Sequence, residues 1–106
     1  MSAALVAVVL WVQPRIVQPS VTVSNGLNLR SAPDARAQRV TILPVGTRVE
    51  VQRCLKDLSW CQVRYGDQRG WAAADYLIAR SDGQRVRLAD AGRQIGVVIE
   101  TASPGG

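Results

Sequence analysis

The stretch LNLRSAPD, residues 27–34, decides the fold of this chain. Its first four residues alternate strictly between apolar and polar, which is the pattern of a half-buried β-strand with both leucines facing a core. The Ala-Pro pair then ends the alternation, because proline has no N–H to give to a neighbouring strand. The stretch therefore predicts a core strand that leads into a polar loop, with Asn28 and Arg30 on the opposite face of the strand.

The same two-residue period recurs downstream as a series of short runs. These runs are VTVS, LNLR, RVTIL, RVEVQ and WCQVRY, all within residues 21–65. We expect Asn25-Gly26 to close a hairpin between the first two runs, residues 43–46 to form a type I turn between the next two, and Gly66-Asp67 to reverse the chain after the last. The run AAADYL, residues 72–77, predicts a single helical turn that carries its tyrosine and leucine onto the core.

Together these runs predict an all-β fold. They give about five to six short antiparallel strands linked by turn signals, and no stretch between residues 21 and 77 has a convincing helical period. Short strands at this density are typical of a small closed or nearly closed barrel. We therefore expect such a barrel with one short 3-10 turn.

An unbroken apolar run, AALVAVVLWV, lies near the start of the sequence. It is too short to span a bilayer but fits the apolar region of a secretory signal, although no basic residue precedes it and no A-x-A-like site follows. The alternative is a buried strand or short helix packed on the domain. Because two prolines break the chain before Val21, we assign residues 1–20 to a signal-like or membrane-proximal segment and residues 21–78 to the barrel.

Residues 79–106 are interpreted as a C-terminal extension and linker. QRVRLAD and RQIGVVIE flank Ala91-Gly92, so we expect them to form one more hairpin. The closing TASPGG has the composition of a linker, which suggests that the natural protein continues beyond it.

The composition argues against most enzyme classes. The chain has no His, which removes the commonest general base, the serine-type triad and most zinc sites. Its carboxylates show no paired arrangement, and the phosphate-binding pattern G-x-x-x-x-G-K-[ST] is absent. We therefore expect a protein without catalytic activity, cofactor or metal.

The charge is clearly basic, with 13 Lys and Arg against 8 Asp and Glu and a formal net charge of +5. All the basic residues except Lys56 are arginines. Such a balance draws a protein towards anionic surfaces such as nucleic acid, acidic lipid or acidic cell-wall polymer. The charges are scattered, however, and form no long basic run, which favours an ordinary solvated surface.

Two cysteines, Cys54 and Cys61, bracket the sequence LKDLSW. An even count in a small domain favours one disulfide. A metal site would lack further ligands, and the spacing is not the C-x-x-C of redox proteins. Strand parity puts Cys54 and the core-facing Val51 on opposite faces, whereas Cys61 shares a face with Val63. If Val63 faces the core, pairing of the cysteines requires a bulge near residues 52–53.

The chain resembles a bacterial SH3 domain over roughly residues 21–78. The resemblance rests on LNLRSAPD, ILPVGTRVEV, a Trp on the next strand, YGDQRGW and DYL, which occur in the family's order and spacing. The family usually has Gly-Pro where this chain has Ala32-Pro33, so we expect a slightly different turn there. The segment QRCLKDLSWCQV is similar to a subset of exported bacterial proteins that are secreted or envelope-associated.

This resemblance implies an SH3-like barrel that acts as a binding module in the bacterial envelope, periplasmic or secreted. Its partner would be cell-wall peptide or an exported protein, held in a groove between the loop after Arg30 and the segment 71–76. The expected ligand-binding residues are Asn28, Arg30, Trp60, Trp71, Asp75 and Tyr76. Each also has a structural interpretation: core packing for the aromatic rings, a solvated strand face for Asn28 and Arg30, and helix capping for Asp75.

Two other functions stay open at this point. The domain could serve structure or assembly, with the activity in a missing C-terminal region. Small barrels with arginine-rich faces also bind nucleic acid. The paired cysteines and the signal-like segment count against nucleic acid, and that same segment would permit association with a membrane.

Overall fold

The computed structural model describes residues 20–100, so the apolar run near the start and the closing TASPGG lie outside the described residues. Within this range no helix has the length and apolar character needed to cross a membrane. The elements, in chain order, are β1 (Ser20–Val23), β2 (Leu27–Arg30), β3 (Arg39–Leu43), β4 (Arg48–Cys54), β5 (Trp60–Tyr65), β6 (Gln68–Ala73), a 3-10 turn (Ala74–Tyr76), β7 (Leu77–Ser81), β8 (Gln84–Arg87) and α1 (Leu88–Ala91).

All the described strands belong to one antiparallel sheet, in the order β3-β2-β6-β5-β4-β1-β7-β8. Within residues 20–100 the all-β class and the single 3-10 turn are confirmed. The expected strand number is wrong, because the sheet has eight strands. The sheet is also not closed: β3 and β8 form its edges, whereas a barrel requires its first and last strands to pair.

The core lies on one face of the curled sheet and is built by the alternation seen in the sequence. In β2 the two leucines are buried, while Asn28 and Arg30 are half-buried on the other face, as predicted. No polar or charged residue within residues 20–100 is buried. The core residues are Val21, Val23, Leu27, Leu29, Leu43, Val49, Val51, Cys54, Leu58, Cys61, Val63, Ala72, Ala74, Leu77, Ala79, Leu88 and Val97.

The predicted hairpin at Asn25-Gly26 is wrong. β1 pairs with β4 and β7, whereas β2 pairs with β3 and β6. A tight two-residue hairpin of type I′ needs positive φ at both central residues, and neither Asn25 nor Gly26 has it. The pair instead carries the chain from one part of the sheet to another.

The turn expected at residues 43–46 lies one residue further along and has another type. The N–H of Thr47 donates to the carbonyl of Pro44 at 3.1 Å. Gly46, the third residue of this turn, has a φ of +82°, which a type II turn requires and which favours glycine. The expected pairing of β3 with β4 is wrong: β3 pairs with β2, and β4 pairs with β1 and β5.

The hairpin of β5 and β6 forms as predicted. Tyr65 pairs with Gln68 across the loop Gly66-Asp67. The 3-10 turn that follows brings Leu77 fully into the core, but Tyr76 is 42% exposed, contrary to expectation. The reason is that Leu77 begins β7 in an extended conformation, and neighbouring side chains of extended backbone point to opposite sides.

The C-terminal part of the described chain continues the sheet and the core. β7 and β8 form a hairpin in which Ser81 pairs with Gln84, and Asp82-Gly83 between them have φ values of 52° and 79°, the pattern of a type I′ turn. The hairpin expected around residues 91–92 is wrong, since α1 occupies that position and buries Leu88.

A disulfide joins Cys54 to Cys61, as predicted, with their Cα atoms 3.9 Å apart. The strand register shifts between Val51 and Arg53, which is the bulge that parity required. This shift places Cys54 directly opposite Cys61. The backbone of Cys54 also forms two hydrogen bonds with residues 98–100. Its N–H donates to the Val98 carbonyl at 2.8 Å, and its carbonyl accepts from the N–H of Glu100 at 2.8 Å.

Candidate functional site

A concavity of about 370 Å³ lies where the outer face of β2 meets the ends of β5 and β6 and the 3-10 turn. We call it the aromatic pocket. It brings together four of the six residues that the sequence analysis selected: Asn28, Arg30, Trp60 and Tyr76. The other lining residues are Asn25, Gly26, Leu27, Ala35 and Ala73.

Strand β2 supplies the polar side of the aromatic pocket. Alternation turns Asn28 and Arg30 away from the core, so the amide and the guanidinium lie on one face. Nη1 of Arg30 donates to the carbonyl of Ala37 at 2.9 Å, which ties the side chain to the following loop. A guanidinium carries five N–H donors, so donors remain for a ligand.

The loop of residues 31–38 forms one rim. It is closed by a hydrogen bond from the N–H of Ser31 to the carbonyl of Gln38 at 2.9 Å. Within it, the carboxylate of Asp34 accepts from the N–H of Arg36 at 2.8 Å. Ala35 is the residue of this loop that lines the aromatic pocket.

Two aromatic rings form the opposite wall. Trp60, half-buried, pairs across the strands with Ala73, whose small side chain leaves the indole uncrowded. Ser24 fixes the backbone of Tyr76 through two hydrogen bonds to the Tyr76 carbonyl. The N–H of Ser24 donates at 2.9 Å and the hydroxyl of Ser24 donates at 3.3 Å. The tyrosine ring is thus exposed on a fixed backbone, which suits a contact surface.

Trp71, a predicted ligand-binding residue, does not line the aromatic pocket. It is 8% exposed and lies outside the main core cluster, because it shares the outer face with its partners Arg30 and Gln62. The guanidinium of Arg53 covers its ring at 5.6 Å from the centroid, a cation–π arrangement. Arg53 also forms an ion pair with Glu100 at 3.4 Å.

Asp75 also lies outside the lining of the aromatic pocket. It is exposed within the 3-10 turn, and the turn has no side-chain capping hydrogen bond, so the capping interpretation does not apply either.

Sequence reasoning missed the pocket residues Asn25, Gly26, Leu27, Ala35 and Ala73. For Asn25 and Gly26 the sequence predicts only a hairpin turn. Ala35 and Ala73 have only a methyl side chain, which does not indicate binding in a sequence. They line the pocket because the fold places them there.

The chemistry of the aromatic pocket is that of a recognition surface. It combines two aromatic faces, one amide and one guanidinium, and no carboxylate lines it. An amide and a guanidinium can hold peptide groups and a carboxylate, and aromatic faces suit aliphatic chains and sugar rings. Within residues 20–100 no group of three or more His, Cys, Asp or Glu side chains could hold a metal ion.

Comparison with known proteins gives one family. The family model described as bacterial SH3 domain matches residues 25–78, just over half of the chain. No curated protein matches the chain, and no solved structure does.

Proposed function

The chain belongs to the bacterial SH3 domain family, and we propose that it is a non-catalytic binding module of the bacterial envelope. Its ligand is cell-wall peptide, or a peptide segment of an exported protein, and the aromatic pocket holds it. The observation that carries this proposal is the convergence of Asn28, Arg30, Trp60 and Tyr76 on one concavity from three separate parts of the chain.

The pocket matches the chemistry of a short peptide with a free carboxylate. Arg30 can bind a carboxylate in a bidentate manner, and Asn28 can both donate to and accept from a peptide group. Trp60 and Tyr76 offer flat apolar area for the aliphatic parts of such a ligand. Arg39 lies opposite Arg30 in the sheet, which adds positive charge on the same side and favours an anionic ligand end.

The disulfide supports a location outside the cytoplasm. Disulfides persist in oxidising compartments and are rare in cytosolic proteins. Together with the family and with the apolar run near the start of the sequence, this favours a periplasmic or secreted protein. We propose the division into residues 1–20, 21–78 and 79–106. The C-terminal extension completes β7, adds β8 to the sheet and contributes Leu88 and Val97 to the core.

The decisive experiment measures binding of a soluble, phosphate-free cell-wall muropeptide to the oxidised full chain by calorimetry. Tyr76→Ala removes an exposed ring and should weaken binding about two- to tenfold, the range expected for one aromatic contact. Asn28→Ala should weaken it as well. Arg85→Ala is the matched control, because Arg85 does not line the aromatic pocket, and it should leave affinity within about twofold.

Two results would overturn the proposal. One is an oxidised wild-type chain that does not bind the muropeptide. The other is an equal loss for Tyr76→Ala and Arg85→Ala, with binding abolished by salt, because diffuse charge would then explain retention. A single-stranded oligonucleotide at two salt concentrations tests the nucleic-acid alternative, and tighter binding of it through the same residues would replace the peptide.

A further inference from the structure

A second surface lies on the outer face of the sheet, away from the aromatic pocket. The register of the strands places solvent-facing residues side by side across β6, β5, β4, β1, β7 and β8. Arg69 pairs with Arg64, Arg64 with Glu50, and Glu50 with Ser20. On the next strands Arg80 pairs with Arg85, and both line one groove with Ser20. We call this line of residues the arginine row.

The arginine row contains two pairs of like charges in direct opposition, Arg64 with Arg69 and Arg80 with Arg85. Like charges directly opposite each other destabilise a sheet, because the two charged side chains lie close together and repel each other. Glu50 offsets the first pair through its ion pair with Arg64. Among the ion pairs within residues 20–100, none includes Arg80 or Arg85.

The end of the row with the uncompensated pair forms a groove of about 560 Å³. Its lining consists of Ser20, Thr22, Arg48, Ile78, Arg80 and Arg85, so it presents three guanidinium groups, two hydroxyl groups and one aliphatic side chain. No carboxylate and no aromatic ring lines it. It shares no lining residue with the aromatic pocket, so the two sites are separate.

We propose that this groove and the arginine row bind the phosphate groups of an extended anionic polymer that carries no bases. Arginine is suited to phosphate because its planar guanidinium can donate two parallel hydrogen bonds. The hydroxyl of Ser20 adds a neutral donor, whereas that of Thr22 already donates to the carbonyl of Ile78 at 3.4 Å. Six neighbouring strands at about 4.8 Å spacing give a row of roughly 24 Å. An arginine pair at each end of the row can take a phosphate group, and Glu50 lies between the two pairs.

The composition of the surface favours this polymer over other anions. Proteins that bind single-stranded nucleic acid supply aromatic rings on which the bases stack, and the groove has none. Binding to a membrane surface uses a broad apolar face beside the cations, and here the apolar part is one side chain, Ile78.

The test uses inorganic polyphosphate as the probe and the oxidised full chain. The double variant Arg80→Ala/Arg85→Ala should lower the affinity about tenfold or more and reduce the salt dependence of binding, because fewer counterions are released. The variant Arg36→Ala/Lys56→Ala is matched in charge, and both residues lie outside the row and the aromatic pocket. It should change the affinity less than threefold. Arg80→Lys/Arg85→Lys should restore part of the binding.

Several outcomes would overturn the proposal. These are failure of the wild-type chain to bind polyphosphate, an equal loss in the matched control, or tighter binding to a single-stranded oligonucleotide or to phosphatidylglycerol vesicles through the same arginines. The result is independent of the aromatic pocket: Tyr76→Ala should leave polyphosphate binding unchanged, while Arg80→Ala/Arg85→Ala should leave muropeptide binding unchanged. The two proposals can therefore fail separately.

Discussion

Gly70 of β6 lies against Leu29 of β2 so closely that a β-carbon on Gly70 would fall 2.6 Å from Cγ of Leu29. It would also lie 2.7 Å from the carbonyl oxygen of Arg30, which is backbone and cannot swing aside. The missing side chain lets β2 approach β6, where Arg30 pairs with Trp71. This contact thus helps to position Arg30 at the aromatic pocket.

Gly70→Ala should therefore destabilise the protein by about 1–3 kcal/mol, the usual cost of overpacking a close contact. Urea denaturation followed by circular dichroism measures it. Gly26→Ala is the matched control, because nothing lies within 4 Å of its added methyl group and its φ is not positive. A Gly70→Ala protein as stable as the control would show that the two strands separate easily.

Strand positions could be predicted from the sequence because alternation is a local property. The faces of β2 and β4 follow from counting residues along one strand. The bulge beside Cys54 follows from comparing this count with that of the strand that carries Cys61. Partner strands could not be predicted in the same way, since pairing is decided by contacts between distant segments. Asn25-Gly26 looked like a hairpin turn, while the turn with the required positive φ values is Asp82-Gly83.

The candidate sites also depend on contacts between distant segments, which the sequence does not predict. Asn28 and Arg30 were found because their strand alternates, but the sequence could not tell that Arg53 covers Trp71. The arginine row was invisible, because its members are far apart in the chain and the strand register alone aligns them. Scattered charge in a sequence therefore does not imply scattered charge on the sheet.

Reduction of the disulfide should destabilise the protein by about 2.5 kcal/mol, which is the chain-entropy value for a loop of about eight residues. Denaturation with and without dithiothreitol measures the difference. Reduction should also speed hydrogen exchange at the N–H of Glu100, which donates to the carbonyl of Cys54. The variant Cys54→Ala/Cys61→Ala should not respond to the reductant. A response in that variant would mean that the reductant acts elsewhere.

Leu88→Ala should cost about 2–5 kcal/mol, because Leu88 is fully buried and its removal leaves a cavity in the core. Val98→Ala, at a position 48% exposed, is the control and should change stability by less than about 0.5 kcal/mol. Thermal unfolding distinguishes the two. Equal, small effects would mean that α1 contributes little to the core, and that residues 21–78 carry the stability.

Asp57 should lose stabilising hydrogen bonds in acid. Its carboxylate accepts from the hydroxyl of Ser59 at 2.6 Å and from the N–H of Ser59 at 3.0 Å, and these bonds, the hydroxyl first, hold the pKa of Asp57 below its usual value. The pKa of Asp57 is lower in the folded protein than in the unfolded chain. Its contribution to stability is therefore complete above the unfolded pKa and disappears as the pH falls through the folded pKa.

Ser59→Ala should therefore raise the pKa of Asp57 towards its usual value, as followed by NMR titration of the side-chain carboxyl carbon. Ser24→Ala removes a hydroxyl that bonds the carbonyl of Tyr76 instead, and it should leave the Asp57 titration unchanged. An unchanged pKa in Ser59→Ala would show that the hydroxyl is not the main cause.

Arg30 has two roles at the aromatic pocket that one set of variants can separate. It lines the pocket, and it fastens the loop of residues 31–38 through the carbonyl of Ala37. Arg30→Ala should weaken muropeptide binding and also speed hydrogen exchange at the N–H of Ser31, which closes the loop. Arg36→Ala removes a cation from the same loop without touching this bond, so it should leave that exchange rate unchanged. Asn28→Ala should weaken binding alone. If Arg30→Ala weakens binding while the Ser31 exchange rate stays at the wild-type value, Arg30 acts only through direct contact with the ligand, and the loop is held without it.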